Sequence, residues 1–137
     1  MNQDNQSQNH QLYQEWLNKV KEDEDTGKKI LEGRGFPAPA CFHFQQMAEK
    51  SLKALLIFYN VEFPKIHDLI VLAMLFEPIL PEIKEYKTEL NFLNNYYIET
   101  RYPGDYPEFT LKEAQEAFEA AVKIKEFVLE KIAKGRQ

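Results

Sequence analysis

The chain has 137 residues, of which 44% are hydrophobic and 28% charged, and its formal net charge is −5. These values favour one folded domain over a disordered chain, and the acidic balance excludes broad wrapping of DNA, which needs a basic surface. The single Cys41 excludes an internal disulfide, and no apolar run reaches the ~20 residues that cross a bilayer. Because the N-terminus also lacks a signal-peptide pattern, we expect a cytoplasmic protein.

Residues 1–59 are predicted to form a polar tail and two helices. Residues 1–9 are rich in Gln and Asn, so we expect a frayed tail before a domain over residues 10–134. Apolar spacing predicts a first helix over 10–32, with a weak middle at the acidic run 22–25. Closely spaced Gly and Pro residues then end this helix, and a second helix is expected over 38–59.

Three more helices follow, separated by prolines. We expect them over 66–76, over 82–100 and from Thr110 to about 133. Pro103 disfavours helix in the preceding residue, which places Arg101 at the C-terminus of the fourth helix. Thr110 and Glu113 have the spacing of a capping box. Since strand-like alternation is absent, the prediction is an all-α fold: a single five-helix, up-and-down-type bundle.

A narrow polar stripe marks the second helix, which is otherwise apolar around most of its circumference. At about 100° per residue, Gln46, Glu49, Lys50 and Lys53 share one arc. One interpretation is a solvated or salt-bridged face, since such pairs stabilise a helix by ~0.2–0.5 kcal/mol. The other is the wall of a cleft, in which the two lysines hold a phosphate and Glu49 anchors Arg101.

Arg101 also has two interpretations. A cation at a helix C-terminus contributes ~0.3–1 kcal/mol through the helix dipole, whereas a guanidinium in a cleft makes planar, bidentate contacts with phosphate. Tyr102 follows it directly, and other tyrosines lie nearby. Exposed aromatic rings beside an arginine are typical of base stacking, but such rings also pack between helices.

The histidines and acidic residues are interpreted mainly as structural. His67 precedes Asp68 at the start of the third helix, where either side chain can cap free backbone amides. His43 lies at the margin of the polar stripe, so it could serve a cleft, although a hydrogen-bonded core histidine is favoured. Asp23 and Asp25 are interpreted as a solvated face. No set has the spacing of zinc ligands, and we expect no metal and no cofactor.

Three segments give the chain a family resemblance: QQMAEKSLKALL at 45–56, PKIHDL at 64–69 and YYIETRYP at 96–103. In this order and spacing, the chain resembles the HEPN family of small prokaryotic helical domains. The resemblance implies the same bundle and a cleft between helices two and four that binds a nucleotide or RNA. It also implies a homodimer and a minimal nucleotidyltransferase partner in a toxin–antitoxin-like pair. The ligand-binding residues expected on this basis are Gln46, Glu49, Lys50, Lys53, Arg101 and Tyr102, with His43 and His67 as further candidates.

The chain departs from the family's catalytic pattern. Many HEPN members are metal-independent RNases with an Arg followed four to six residues later by a His, and no His follows Arg101. Cleaving RNA without a metal needs a group that transfers protons near neutral pH. We therefore predict a non-catalytic binding module without catalytic residues. The alternatives are a homodimeric interaction module with no ligand and an RNase that uses His43 or His67.

Overall fold

The computed structural model describes residues 3–97 and 108–136, with side chains described from residue 12 onward. Within these residues the chain is helical and contains no strand, so the predicted all-α, five-helix fold is confirmed. No helix in this part of the chain is both long and apolar enough to span a bilayer. The helices are α1 (Gln3–Glu32), α2 (Pro37–Phe58), α3 (Leu69–Met74), a 3₁₀ helix (Pro81–Tyr86), α4 (Lys87–Asn94) and α5 (Leu111–Gly135).

Helix α2 is the centre of the bundle. It packs against α1 and α5, and it also contacts α3 and α4. Its apolar side chains, including Phe44, Met47 and Leu52, are completely buried. A helix that is apolar around most of its circumference must be covered on several sides, and α2 is covered in this way.

Helix α1 differs from its prediction at both its start and its middle. It begins at Gln3, inside the segment predicted as a frayed tail, and it continues without a break through the acidic run 22–25. The prediction of a weak middle is therefore wrong. Packing against α2 stabilises this part of α1, because Asp23 is buried there and is bound by the side chains of His43 and Lys50.

The third and fourth helices are shorter than predicted. Asp68 caps α3 by accepting hydrogen bonds from the backbone amides of Ile70 and Val71, so α3 begins at Leu69. Helix α4 ends at Asn94, well before the predicted end near Arg101. The chain turns there because Tyr96 is buried against Phe109. Arg101 itself lies outside the described residues.

The start of α5 confirms the capping-box prediction. The Thr110 hydroxyl accepts a hydrogen bond from the Glu113 amide at 3.0 Å, and the Glu113 carboxylate accepts one from the Thr110 amide at 3.3 Å. The other carboxylate oxygen of Glu113 accepts a hydrogen bond from the Tyr96 hydroxyl at 3.0 Å. Through this bond the cap fixes the chain that leaves α4 against the start of α5.

Candidate functional site

The polar stripe of α2 is organised by a buried carboxylate, Glu49. Its Oε2 atom lies 3.0 Å from Nζ of Lys53, one turn further along the helix. Its Oε1 atom lies 3.0 Å from Nδ1 of His67, which belongs to the loop between α2 and α3. The Gln46 side-chain amide is a third donor to the carboxylate and lies 3.2 Å from Oε1. A buried carboxylate needs such donors to offset the loss of water, and Glu49 has them from two different parts of the fold.

Lys53 is held inside the protein and does not project into solvent. Only 7% of its side chain is exposed. Its Nζ atom lies 5.6 Å from the centre of the Trp16 ring and 5.8 Å from the centre of the Phe63 ring. Both distances are within the range of cation–π attraction. The ammonium group is thus enclosed by one carboxylate and two aromatic rings.

His67 is the exposed member of this cluster. Of its side chain, 44% is accessible to solvent, and its ring stacks on Tyr97 with centroids 4.2 Å apart and an interplanar angle of 14°. The Gln45 side-chain amide donates to the His67 carbonyl at 3.2 Å, which fixes the loop. Glu49 holds Nδ1, and within the described residues Nε2 has no hydrogen-bond partner. Glu49 and Tyr97 therefore fix the orientation of the ring, and in this part of the chain Nε2 is unpaired.

A second buried carboxylate, Asp23 of α1, repeats this arrangement. It accepts from Nδ1 of His43 at 2.9 Å and from Nζ of Lys50 at 2.7 Å. Burial raises the pKa of Asp23, but the hydrogen bonds from His43 and Lys50 outweigh burial, so the pKa lies below its usual value. Asp23 is thus a carboxylate at neutral pH. The interpretation of Asp23 as part of a solvated face is wrong, whereas Asp25 is exposed.

The two clusters are joined by aromatic rings. Phe42 lies 5.8 Å from His43 and 6.2 Å from Tyr97, measured between ring centres. Tyr97 in turn stacks on His67. We call His43, Phe42, Tyr97 and His67 the ring row. It connects the two histidines whose Nδ1 atoms are held by buried carboxylates.

The remaining titratable groups near the ring row do not form a nucleophile or a metal site. Burial, with a contribution from the charge of Glu113, raises the pKa of Cys41 to about 12, so its thiol is not a nucleophile. The described residues contain no group of three His, Cys, Asp or Glu side chains that could hold a metal ion. Two grooves, of about 350 and 370 Å³, lie on other faces.

Within the described residues, the predicted site residues divide between two clusters. Glu49, Lys53 and Gln46 are brought together with His67, and Lys50 joins His43 through Asp23. The stripe is consequently salt-bridged and largely buried, not solvated. His67 does not cap α3, because Asp68 does so.

The other candidates lie elsewhere or were not predicted. Arg101 and Tyr102 lie outside the described residues. Sequence reasoning missed Asp23 and Tyr97. The position of Tyr97, four residues before Arg101, could have suggested it, whereas no local signal distinguishes Asp23, which is 20 residues before His43 in the sequence.

Comparison with known proteins identifies relatives by sequence and by structure. The model of the HEPN domain family matches residues 13–132. ST0689, an archaeal HEPN homologue of known crystal structure, is 26% identical, with a TM-score of 0.69 over 88% of this chain and 97% of the other. TT1696 from Thermus thermophilus, also of known crystal structure, is 32% identical, with a TM-score of 0.71 over 87% and 97%. No curated protein matches the chain.

Proposed function

Because the chain belongs to the HEPN domain family, we propose that it is a binding module for a nucleotide or a segment of RNA, with the ligand held over His67. The observation that supports this is the exposed imidazole, which is fixed through Nδ1 by Glu49 and stacked on Tyr97. A rigid aromatic face with one available nitrogen offers both stacking and hydrogen bonding.

The chemistry of His67 suits such a ligand. When Nδ1 donates to Glu49, Nε2 is an acceptor in the neutral ring and a second donor in the protonated ring. A protonated imidazole gives phosphate a charge-assisted hydrogen bond, and the outer ring face gives a base a stacking surface. Base–aromatic stacking contributes roughly 1–3 kcal/mol per base.

Within this proposal the two lysines position other residues. Lys53 and Lys50 are already paired with Glu49 and Asp23, so contact with phosphate would break an internal ion pair. Arg101 and Tyr102 remain the proposed contacts for phosphate and base, since they follow Tyr97 closely in the chain. Gln46 contributes by holding Glu49.

The proposal also includes the partners that the family resemblance implies. We propose a homodimer that works with a minimal nucleotidyltransferase as a two-component, toxin–antitoxin-like pair. Co-expression of the two proteins followed by size-exclusion chromatography with light scattering tests this part. Co-elution at a defined mass is the expected result, and separate elution of the two chains contradicts it.

A thermal-shift experiment tests ligand binding. The parent protein, His67→Ala and His10→Ala are each melted with ATP, GTP, AMP and a short RNA. His10 follows the polar N-terminal segment in the sequence and is not a predicted site residue, so it serves as the control histidine. A ligand at 100 times its dissociation constant adds ~2.7 kcal/mol to the free energy of unfolding, so a clear shift is expected in the parent. His67→Ala should lose the shift relative to its own ligand-free melting temperature, and His10→Ala should keep it.

Either of two results contradicts the binding proposal. No shift in the parent with any ligand favours the alternative of an interaction module without a ligand. An equal shift in His67→Ala and in the parent places the ligand elsewhere on the protein.

The pairing of Glu49 with His67 also favours a second candidate, a metal-independent RNase with a non-standard histidine. A carboxylate that orients an imidazole through Nδ1 leaves Nε2 to accept a proton, as in other acid–base sites. In RNA cleavage, this proton would come from the 2′-hydroxyl, whose oxygen attacks phosphorus to form a 2′,3′-cyclic phosphate. The P–O5′ bond breaks, and the imidazolium would return the proton to the departing 5′-oxygen. This candidate predicts cleavage of labelled RNA in EDTA, lost in His67→Ala and retained in His10→Ala. Intact RNA with the parent protein excludes it.

A further inference from the structure

We propose that the ligand site extends along the whole ring row and takes a single-stranded oligonucleotide of two or more nucleotides, with His43 as a second contact. This inference rests on the proposed function, because it concerns the same surface. It narrows the ligand from a nucleotide or RNA segment to an oligonucleotide that occupies two positions, and it adds a residue at the far end of the site.

The two ends of the ring row have the same construction. At one end, the buried carboxylate Glu49 holds the Nδ1 atom of His67 and an α2 lysine. At the other end, the buried carboxylate Asp23 holds the Nδ1 atom of His43 and an α2 lysine. Each imidazole is therefore fixed by a carboxylate behind it. Neither Nε2 atom has a hydrogen-bond partner among the described residues.

The geometry of the rings separates two stacking positions. His67 covers one face of Tyr97 in a nearly parallel stack, so a base at this end lies against the outer face of His67. Phe42 is tilted by 45° relative to Tyr97 and by 60° relative to His43, so the flat surface does not continue from one end to the other. A second base at the His43 end would occupy a separate position.

A mononucleotide has one base and can use only one of these positions. The ring row spans three ring-to-ring steps of 5.8, 6.2 and 4.2 Å, and a chain of nucleotides can reach both ends. The protein is acidic overall, so attraction to a phosphate backbone must be local. In each cluster the positive charge of the lysine offsets the negative charge of the carboxylate. Protonation of the histidine in that cluster therefore leaves a net positive charge.

Binding as a function of ligand length tests the inference. Calorimetry compares AMP with 5′-phosphorylated di- and tetra-adenylate RNA in the parent, His43→Ala, His67→Ala and His10→Ala. One additional stacked base strengthens binding by about tenfold, so the parent and His10→Ala should bind the dinucleotide about tenfold more tightly than AMP. In His43→Ala, this ratio should fall towards one. In His67→Ala, both ligands should bind more weakly.

The outcomes separate this inference from the proposed function. Equal affinity for AMP and the oligonucleotides in the parent overturns the inference while the proposed function stands. An unchanged length ratio in His43→Ala also overturns it. No binding of any of these ligands to the parent removes the proposed function together with the inference. Circular dichroism of each variant, with His43→Gln as a milder substitution, verifies that the bundle is folded.

Discussion

Glu49 and Lys53 lie one turn apart on α2 and form an ion pair in the interior of the protein. The two charged atoms are 3.0 Å apart, and only 3% and 7% of the respective side chains are exposed. Removing one partner from a buried pair leaves the other as an uncompensated charge, which costs far more than the pair itself contributes. His67 shares the same carboxylate, so the pair connects the helix core to the exposed ring.

Lys53→Met should therefore destabilise the protein strongly. Methionine keeps much of the aliphatic volume but leaves Glu49 without its cation, and we expect a loss of about 3 kcal/mol in the free energy of unfolding. Urea unfolding, monitored by circular dichroism, measures this loss in the free energy of unfolding. The matched control is Lys134→Met, which removes the same i, i+4 contact from the exposed pair with Glu130. That change should leave the free energy of unfolding almost unchanged, because exposed ion pairs contribute little to stability, and equal losses in the two variants would contradict this expectation.

The sequence predicted the α2 side chains of the site but not the residues of other elements that contact them. Helical periodicity placed Glu49 and Lys53 on the same arc, because they belong to one helix. His67 and Asp23 reach that arc from a loop and from α1, and such contacts depend on how the elements pack. Asp23 and Asp25 have similar sequence surroundings, yet only Asp23 faces α2 and becomes buried. Periodicity within one helix does not specify which neighbouring element faces it.

The fold was predictable wherever its signals are local. The five helices and the capping box of Thr110 with Glu113 follow from spacing and residue type. The end of α4 does not follow from local sequence signals. It depends on the burial of Tyr96 against Phe109 and on the hydrogen bond from the Tyr96 hydroxyl to Glu113. These contacts join parts of the chain that local propensity does not relate.

Protonation of Asp23 should lower the stability of the protein in acid. Its pKa in the folded state lies below the usual 3.8, so its contribution is complete above that pH and disappears as the pH falls through the lower, folded-state pKa. Asp23→Asn removes this contribution. The free energy of unfolding, measured by urea at several pH values, should depend less on acid pH in this variant than in the parent.

The control for the acid experiment is Asp25→Asn, since Asp25 lies on the same helix but is exposed. Its pH dependence should match that of the parent. If Asp23→Asn and Asp25→Asn alter the acid dependence equally, the effect comes from overall charge and not from the contacts of Asp23 with His43 and Lys50.

Gly27→Ala should destabilise the bundle although alanine is the better helix former. A Cβ atom at Gly27 would lie 2.4 Å from Cε1 of Phe44, whose ring is completely buried on α2. The gain of up to ~1 kcal/mol in helix propensity is then offset by an overpacking cost of ~1–3 kcal/mol. Thermal unfolding of Gly27→Ala tests this, with the exposed neighbour Thr26→Ala as the control that should be neutral or stabilising. A double variant with Phe44→Leu should recover part of the loss, and a stabilised Gly27→Ala would contradict the close contact.

Arg34→Gly should stabilise the turn between α1 and α2. The turn closes α1 through hydrogen bonds from the amides of Arg34 and Gly35 to the carbonyls of Leu31 and Ile30, a pattern that needs a left-handed residue. Arg34 occupies that position with φ 54°. Glycine relieves about 1–2 kcal/mol of strain and costs about 0.5–1 kcal/mol in chain entropy, so we expect a net gain of up to about 1.5 kcal/mol in the free energy of unfolding, measured with urea. Arg34→Ala also removes the charge but keeps Cβ, and an equal gain in that variant would assign the effect to charge instead of backbone conformation.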